Sequence, residues 1–192
     1  MKWVITGYPH SRSMTAIPSD SNIQAWMPML NVRELTRLGL MIAVIEVSKL
    51  ALNHLPNIEL VSFWIILFTL TFGLRTIYAI YGFVLIEGLL YGIHFWWVAY
   101  LYVWTILALC TWLFRKQQSV WFWCILSAIF GLCFGALCAV PYFITGALSG
   151  GLYNGFLAGF SWWIAGIPYD FLHCVGNFCT MLVLYKPIRN MM

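Results

Sequence analysis

The sequence predicts an all-α membrane protein, a bundle of six transmembrane helices with both termini in the cytoplasm. Three observations carry that expectation. Hydrophobic residues make up 62% of the 192 and charged residues only 8%, against roughly a quarter charged in a soluble domain. Apolar runs follow one another after residue 35, several of them near the ~20 residues that cross a bilayer as a helix. The basic residues also sort by side. With the N-terminus inside, Lys2, Arg12, Arg33, Arg37, Arg75, Arg115, Lys116, Lys186 and Arg189 all fall in cytoplasmic segments, and only Lys49 falls outside. Positive residues in short cytoplasmic connections set orientation in this way.

Residues 1–32 read as a poorly ordered cytoplasmic tail. The apolar start at Met1 is too short for a signal-peptide core, and the stretch that follows is rich in Ser, Pro and Asn. Residues 33–192 read as the transmembrane domain. Span 1 is expected from about Leu35 to Leu52 and ends at the turn residues Asn53, Pro56 and Asn57. Span 2 covers about Leu60 to Leu74 and span 3 about Ile77 to Leu90. Both are short, so a re-entrant pair that lowers the count to five is the alternative. Span 4 runs from about Val98 to Phe114 and span 5 from about Val120 to Ile144. A Gly-rich and aromatic stretch from Gly146 to Trp163 reads as an outer loop, and span 6 covers about Ile167 to Tyr185.

Several chemistries are excluded by what the chain lacks. The net charge of +4 forms no basic stripe for nucleic acid. The six Cys lie inside apolar runs without a close CxxC pair, which argues for small buried hydrophobes rather than disulfides or zinc. His173 and Cys174 are adjacent and so point apart on a helix, which disfavours metal or haem, and no cofactor is expected. No Gly-x-Ser-x-Gly turn, His-Glu-x-x-His helix or phosphate-binding Gly-x-x-x-x-Gly-Lys loop is present.

The polar residues inside the apolar runs are the informative ones, because lipid does not tolerate them unpaired. Glu46 and Lys49, three apart, share a face of span 1. They read as an internal ion pair, as a ligand contact through Lys49, or as both. Asp170, His173 and Asn177 form one stripe of span 6 that turns into the bundle. They read as an internal polar lock or as ligand contacts. Aromatics crowd the outer ends, from His94 to Trp104 and from Tyr153 to Trp163. Some belong to an interfacial belt, and the excess suits the walls of a pocket for a flat ligand. Gly39 with Ala43 and Gly131 with Gly135 can let helices approach closely, whereas Gly155 and Gly159 suit turns.

The order of these segments resembles the substrate-binding S components of energy-coupling factor transporters, a branch of the ABC importers. The resemblance covers roughly residues 33 to 190. It rests on Leu38-Gly39-Leu40-Met41-Ile42-Ala43, Lys49-Leu50-Ala51-Leu52, Leu55-Pro56-Asn57-Ile58-Glu59, Phe72-Gly73-Leu74-Arg75 and Glu87-Gly88-Leu89-Leu90-Tyr91-Gly92. Tyr100-Leu101-Tyr102-Val103-Trp104, Phe130-Gly131-Leu132-Cys133-Phe134-Gly135 and Ala165-Gly166-Ile167-Pro168-Tyr169-Asp170, with His173 and Asn177-Phe178, complete it. The resemblance implies a multi-pass protein of the bacterial cytoplasmic membrane that captures a vitamin or vitamin precursor on its outer face. It also implies three partner subunits, a membrane coupling (T) component and two cytoplasmic ATPases. Gly39 and Ala43 would form the small docking surface of helix 1, where the family often has Ala-x-x-x-Ala. The N-terminal extension departs from the family pattern.

The expected pocket residues are Lys49, Asn53, His54, Asn57, Glu87, Tyr91, His94, Trp97, Tyr100 and Trp163. Cobalamin is weakly favoured as ligand, with hydroxymethylpyrimidine and pantothenate as alternatives. Two rival readings stand beside transport. A structural or assembly membrane protein would have a filled interior. A small intramembrane enzyme would bring two titratable groups together at a cleft.

Overall fold

The computed structural model describes residues 31–55 and 57–191, and every regular element among them is helical. The chain divides into two units, Met1–Leu35 and Thr36–Met192. The expected cytoplasmic tail lies, up to residue 30, outside the described residues, as does Pro56. The elements are α1 (Val32–Ala51), α2 (Val61–Phe72), a 3-10 turn (Gly73–Arg75), α3 (Thr76–Tyr91), α4 (Phe95–Leu113), α5 (Val120–Cys138) and α6 (Val140–Arg189).

Three stretches are long and apolar enough to cross a membrane: Val61–Tyr91, Phe95–Leu113 and Val120–Arg189. This is coarser than the six spans expected from the apolar runs: Val61–Tyr91 takes in α2, the turn and α3 together, Val120–Arg189 takes in α5 and both arms of α6, and α1 is set apart by its charges. With 12 and 16 residues, α2 and α3 reach about 18 and 24 Å at 1.5 Å per residue, short of the ~30 Å hydrocarbon core. The 20 residues of α1 would suffice, but Arg33, Glu34, Arg37, Glu46 and Lys49 interrupt their apolar character.

Gly73, with φ +67°, joins α2 to the turn before α3. Glu59 lies just before α2 and Glu87 near the end of α3.

The largest departure from the sequence reading lies between Gly146 and Trp163, which is helical rather than an open loop. Only Gly150 (φ −152°) and Gly151 (φ +83°) leave the helical region, dividing α6 into arms of residues 140–149 and 152–189. The arms fold back on each other. A Cβ on Gly146 would stand 2.9 Å from the Asn154 carbonyl, and one on Gly155 would stand 2.7 Å from the Phe143 carbonyl. Gly155 and Gly159 were expected to serve turns. Instead they sit inside a helix and make room for its partner arm, as small residues do between membrane helices.

The core is built around α2, whose residues are buried on nearly every side, with the other helices each turning a face toward it. Ile45, Phe63, Ile66, Phe83, Trp104, Trp123 and Met181 are fully or almost fully buried. Outward faces are apolar as well: Leu85 is 59% exposed, Ile129 56% and Val183 66%. Meanwhile Glu46, Glu87, Asp170, His173 and Asn177 are buried. Apolar residues outside and ionisable ones inside is the arrangement for a solvent of lipid.

Candidate functional site

A cavity of about 690 Å³ opens at the end of the bundle where α1 and α3 finish and α4 begins. α1 and the following turn contribute Lys49, Leu50, Asn53 and Asn57; α3 contributes Glu87 and Tyr91; α4 contributes Trp96 and Tyr100. The end of α5 adds Phe134, Gly135 and Cys138. The first arm of α6 adds Tyr142, and the second adds Trp162, Ala165, Gly166, Tyr169 and Asp170. The volume lies within the ~300–1,000 Å³ of small-molecule sites.

Lys49 pairs with Glu87 across the gap between α1 and α3. The i,i+3 spacing suggested Glu46 as its partner, yet neither oxygen of Glu46 has a hydrogen-bond partner. The ammonium lies 5.6 Å from the Phe83 ring centroid, 5.7 Å from Tyr91 and 5.3 Å from Tyr100. These distances fall within cation–π range. An ion pair with an aromatic surround holds a charge in an otherwise apolar region.

Asp170 is held from the opposite side. Its Oδ1 accepts a hydrogen bond from the Gly135 backbone N–H at 2.9 Å. Gly135 makes this approach possible, because a side chain there would occupy the carboxylate's place. One helical turn earlier, a Cβ on Gly131 would stand 2.8 Å from the His173 carbonyl carbon. The Gly131 and Gly135 spacing thus closes α5 onto the second arm of α6.

Below Asp170 the stripe continues inward as a polar network. Asn177 donates to the Ser62 hydroxyl at 3.3 Å and to the Ser127 carbonyl at 3.1 Å. The His173 Nε2 is 3.5 Å from Ser62 Oγ and 4.0 Å from a Glu59 oxygen. The stripe therefore ties α6 to α2 and α5. Burial raises the Glu59 carboxyl to about 7; Lys49 pulls it back down and Glu87 pushes it further up.

Aromatic rings wall the cavity. Tyr142 and Trp162 stack at 4.0 Å with planes 15° apart, joining the two arms of α6. Trp96 meets Tyr100 edge-on at 5.2 Å, and Tyr100 meets Trp104 at 5.3 Å.

Of the residues expected at a pocket, the structure gathers Lys49, Asn53, Asn57, Glu87, Tyr91 and Tyr100 around one cavity. It does not bring His54, His94, Trp97 or Trp163 to the lining. His54 and His94 are exposed, and the Trp97 indole donates to the Val84 carbonyl at 2.8 Å and packs α4 against α3. Trp96 and Trp162, each one residue away from an expected residue, take the wall positions. Tyr142 and the end of α5 were not foreseen: they lay within the expected span 5, where their apolar and small residues gave no sign of which face meets the cavity. Asp170 was read as part of a lock, and it also faces the cavity.

Gly39 and Ala43 are exposed on α1, and a Cβ on Gly39 would meet nothing within 4 Å. All six Cys are free thiols. Among the described residues, no cluster of His, Cys, Asp and Glu is placed to hold a metal ion. No protein-family model, curated protein or solved structure matches the chain.

Proposed function

We propose that this chain is the ligand-capturing subunit of a membrane importer, an S component of an energy-coupling factor transporter. The observation that carries the reading is the cavity of about 690 Å³ with aromatic walls, the buried acids Glu87 and Asp170, and the half-buried Lys49 paired with Glu87. Buried charge in lipid is costly and marks function by default, and a purely structural bundle would fill such a space with side chains. The ordered resemblance of segments from span 1 to the C-terminus points the same way.

In this reading all six apolar runs are embedded, α2 and α3 as a short antiparallel pair, and both termini are cytoplasmic in a bacterial inner membrane. The distribution of basic residues supports that orientation. The cavity then opens outward, and the ligand is a vitamin or vitamin precursor. A molecule the size of hydroxymethylpyrimidine or pantothenate would be enclosed, whereas cobalamin would enter only in part. Delivery occurs when the bundle tilts as a body on a membrane coupling subunit driven by two ATPases. The open face of α1 around Gly39 and Ala43 is the docking surface.

The test is a titration of the purified full chain with a panel of vitamins, followed by intrinsic fluorescence. Trp96 and Trp162 line the cavity and report directly. Saturable quenching by one compound supports capture. Absence of a response to every member of the panel, together with no small molecule co-purifying, removes the reading.

A further inference from the structure

The cavity's hydrogen-bonding capacity is lopsided. Its lining holds three charged side chains, Lys49, Glu87 and Asp170. The ammonium of Lys49 is already committed to Glu87 and to the faces of three rings. Two further carboxylates, Glu46 and Glu59, lie close enough to act on that pair. The lining therefore holds two acids against one cation, and that cation is already paired in place.

Asp170 adds a specific demand. The residue is 3% exposed, Oδ1 is satisfied by Gly135, and Oδ2 has no hydrogen-bond partner in the protein. A buried carboxylate oxygen is only an acceptor and is costly to leave unpaired. No lining side chain other than the committed Lys49 carries a cationic donor that could satisfy it. An N–H or O–H group of an occupant could supply that partner.

A carboxylate or phosphate group near Lys49 faces the opposite balance. It would have to share the one ammonium with Glu87, which is 1% exposed, or displace it. Displacement would leave one buried carboxylate uncompensated for every new pair formed. The stacked Tyr142 and Trp162 and the Trp96 edge offer flat surfaces that favour conjugated rings, and protonated ones further through cation–π attraction.

From this geometry we infer that the cavity selects a conjugated heterocycle that presents N–H donors to Asp170, is neutral or cationic, and brings no carboxylate or phosphate to the Lys49–Glu87 pair. An aminopyrimidine is the simplest member of that class. The inference rests on the capture reading and adds the ligand's chemistry to it.

The experiment compares hydroxymethylpyrimidine, an aminopyrimidine, with pantothenate, a carboxylate, on the full chain in detergent, within a wider vitamin panel. The wild-type chain is expected to bind the aminopyrimidine at least about tenfold more tightly, in line with the value of a charge-assisted hydrogen bond. Asp170→Asn retains the shape and an oxygen for Gly135, and it can present an amide donor where the acceptor stood. It is expected to weaken the aminopyrimidine about tenfold or more and to leave pantothenate unchanged or improved. Should the variant fail to fold, the wild-type preference still decides the matter. Tighter binding of pantothenate, or binding only by carboxylate-bearing vitamins, overturns the ligand class while leaving capture intact. So does an aminopyrimidine affinity that a folded Asp170→Asn leaves unchanged. No binding by any vitamin overturns capture and with it this inference.

Discussion

The Lys49–Glu87 pair shows how one residue is made indispensable by its partner's burial. Glu87 is almost wholly buried, so its charge relies on Lys49, whose side chain is 23% exposed. Removing the ammonium alone, in Lys49→Met, should cost about 3 kcal/mol, the low end for breaking a buried pair. Removing both charges, in Lys49→Met with Glu87→Gln, should recover most of that loss. Thermal unfolding in detergent measures both, and a double variant no better than the single would show that the pair is not coupled. Glu59 makes a pH-dependent contribution instead. Its carboxyl is raised from 4.5 to about 7 by burial, so between those values the folded chain binds more protons than the unfolded one. Stability from this group is therefore greatest below about pH 4.5 and falls as pH rises to about 7, by at most about 3 kcal/mol. Glu59→Gln should flatten that fall in unfolding midpoints recorded from pH 5 to 8. A fall equally steep in the variant would assign it to another group.

At the scale of elements, the glycines divide into those that close an interface and those that leave one open. A Cβ on Gly131 would stand 2.8 to 2.9 Å from the backbone of His173 and Cys174. Gly131→Ala should therefore force α5 from α6 and destabilise by about 1–3 kcal/mol, as overpacking does. Gly39→Ala meets open space and should be neutral or slightly stabilising, since Ala is the better helix former by up to about 1 kcal/mol. Paired unfolding midpoints check the contrast, and equal midpoints would mean that α5 and α6 adapt without cost.

The same distinction explains what the sequence did and did not reveal. Helices α2 to α5 follow from apolar runs and α1 from a run that charges interrupt, and their ends fall within a few residues of the Asn, Gly and Arg-Lys-Gln-Gln breaks. The α6 hairpin was hidden because Gly has two meanings. In water it signals a turn, while between membrane helices it is contact surface, and only Gly150 and Gly151 actually break the helix. The inward stripe of Asp170, His173 and Asn177 was legible from a three-then-four spacing. Which of Trp96 and Trp97 faces the cavity was not, because the rotation of α4 is set by packing of the Trp97 indole against Val84 and Gly88.

For the whole molecule, the capture reading makes two demands that separate in space. The ligand needs a specific chamber, and the coupling subunit needs a surface on which the body can move. The chamber lies where α1 and α3 end, whereas Gly39 lies in the first half of α1. The exposed ridge there combines small residues at 39 and 43 with apolar Leu40 and Val47, which are 62% and 65% exposed. Such a ridge lets a partner helix approach its backbone closely. Gly39→Leu fills that ridge without touching any side chain of the chamber. It should leave ligand affinity and unfolding midpoint near wild type while lowering uptake in cells by about tenfold or more, the ~1.4 kcal/mol that a single interface clash readily exceeds. The measurement is binding by fluorescence and uptake of the same ligand in cells that carry the partner subunits. Uptake that persists with Leu at position 39 moves the docking face to another helix. Loss of binding and uptake together would mean that α1 cannot be changed at one end without disturbing Lys49 at the other.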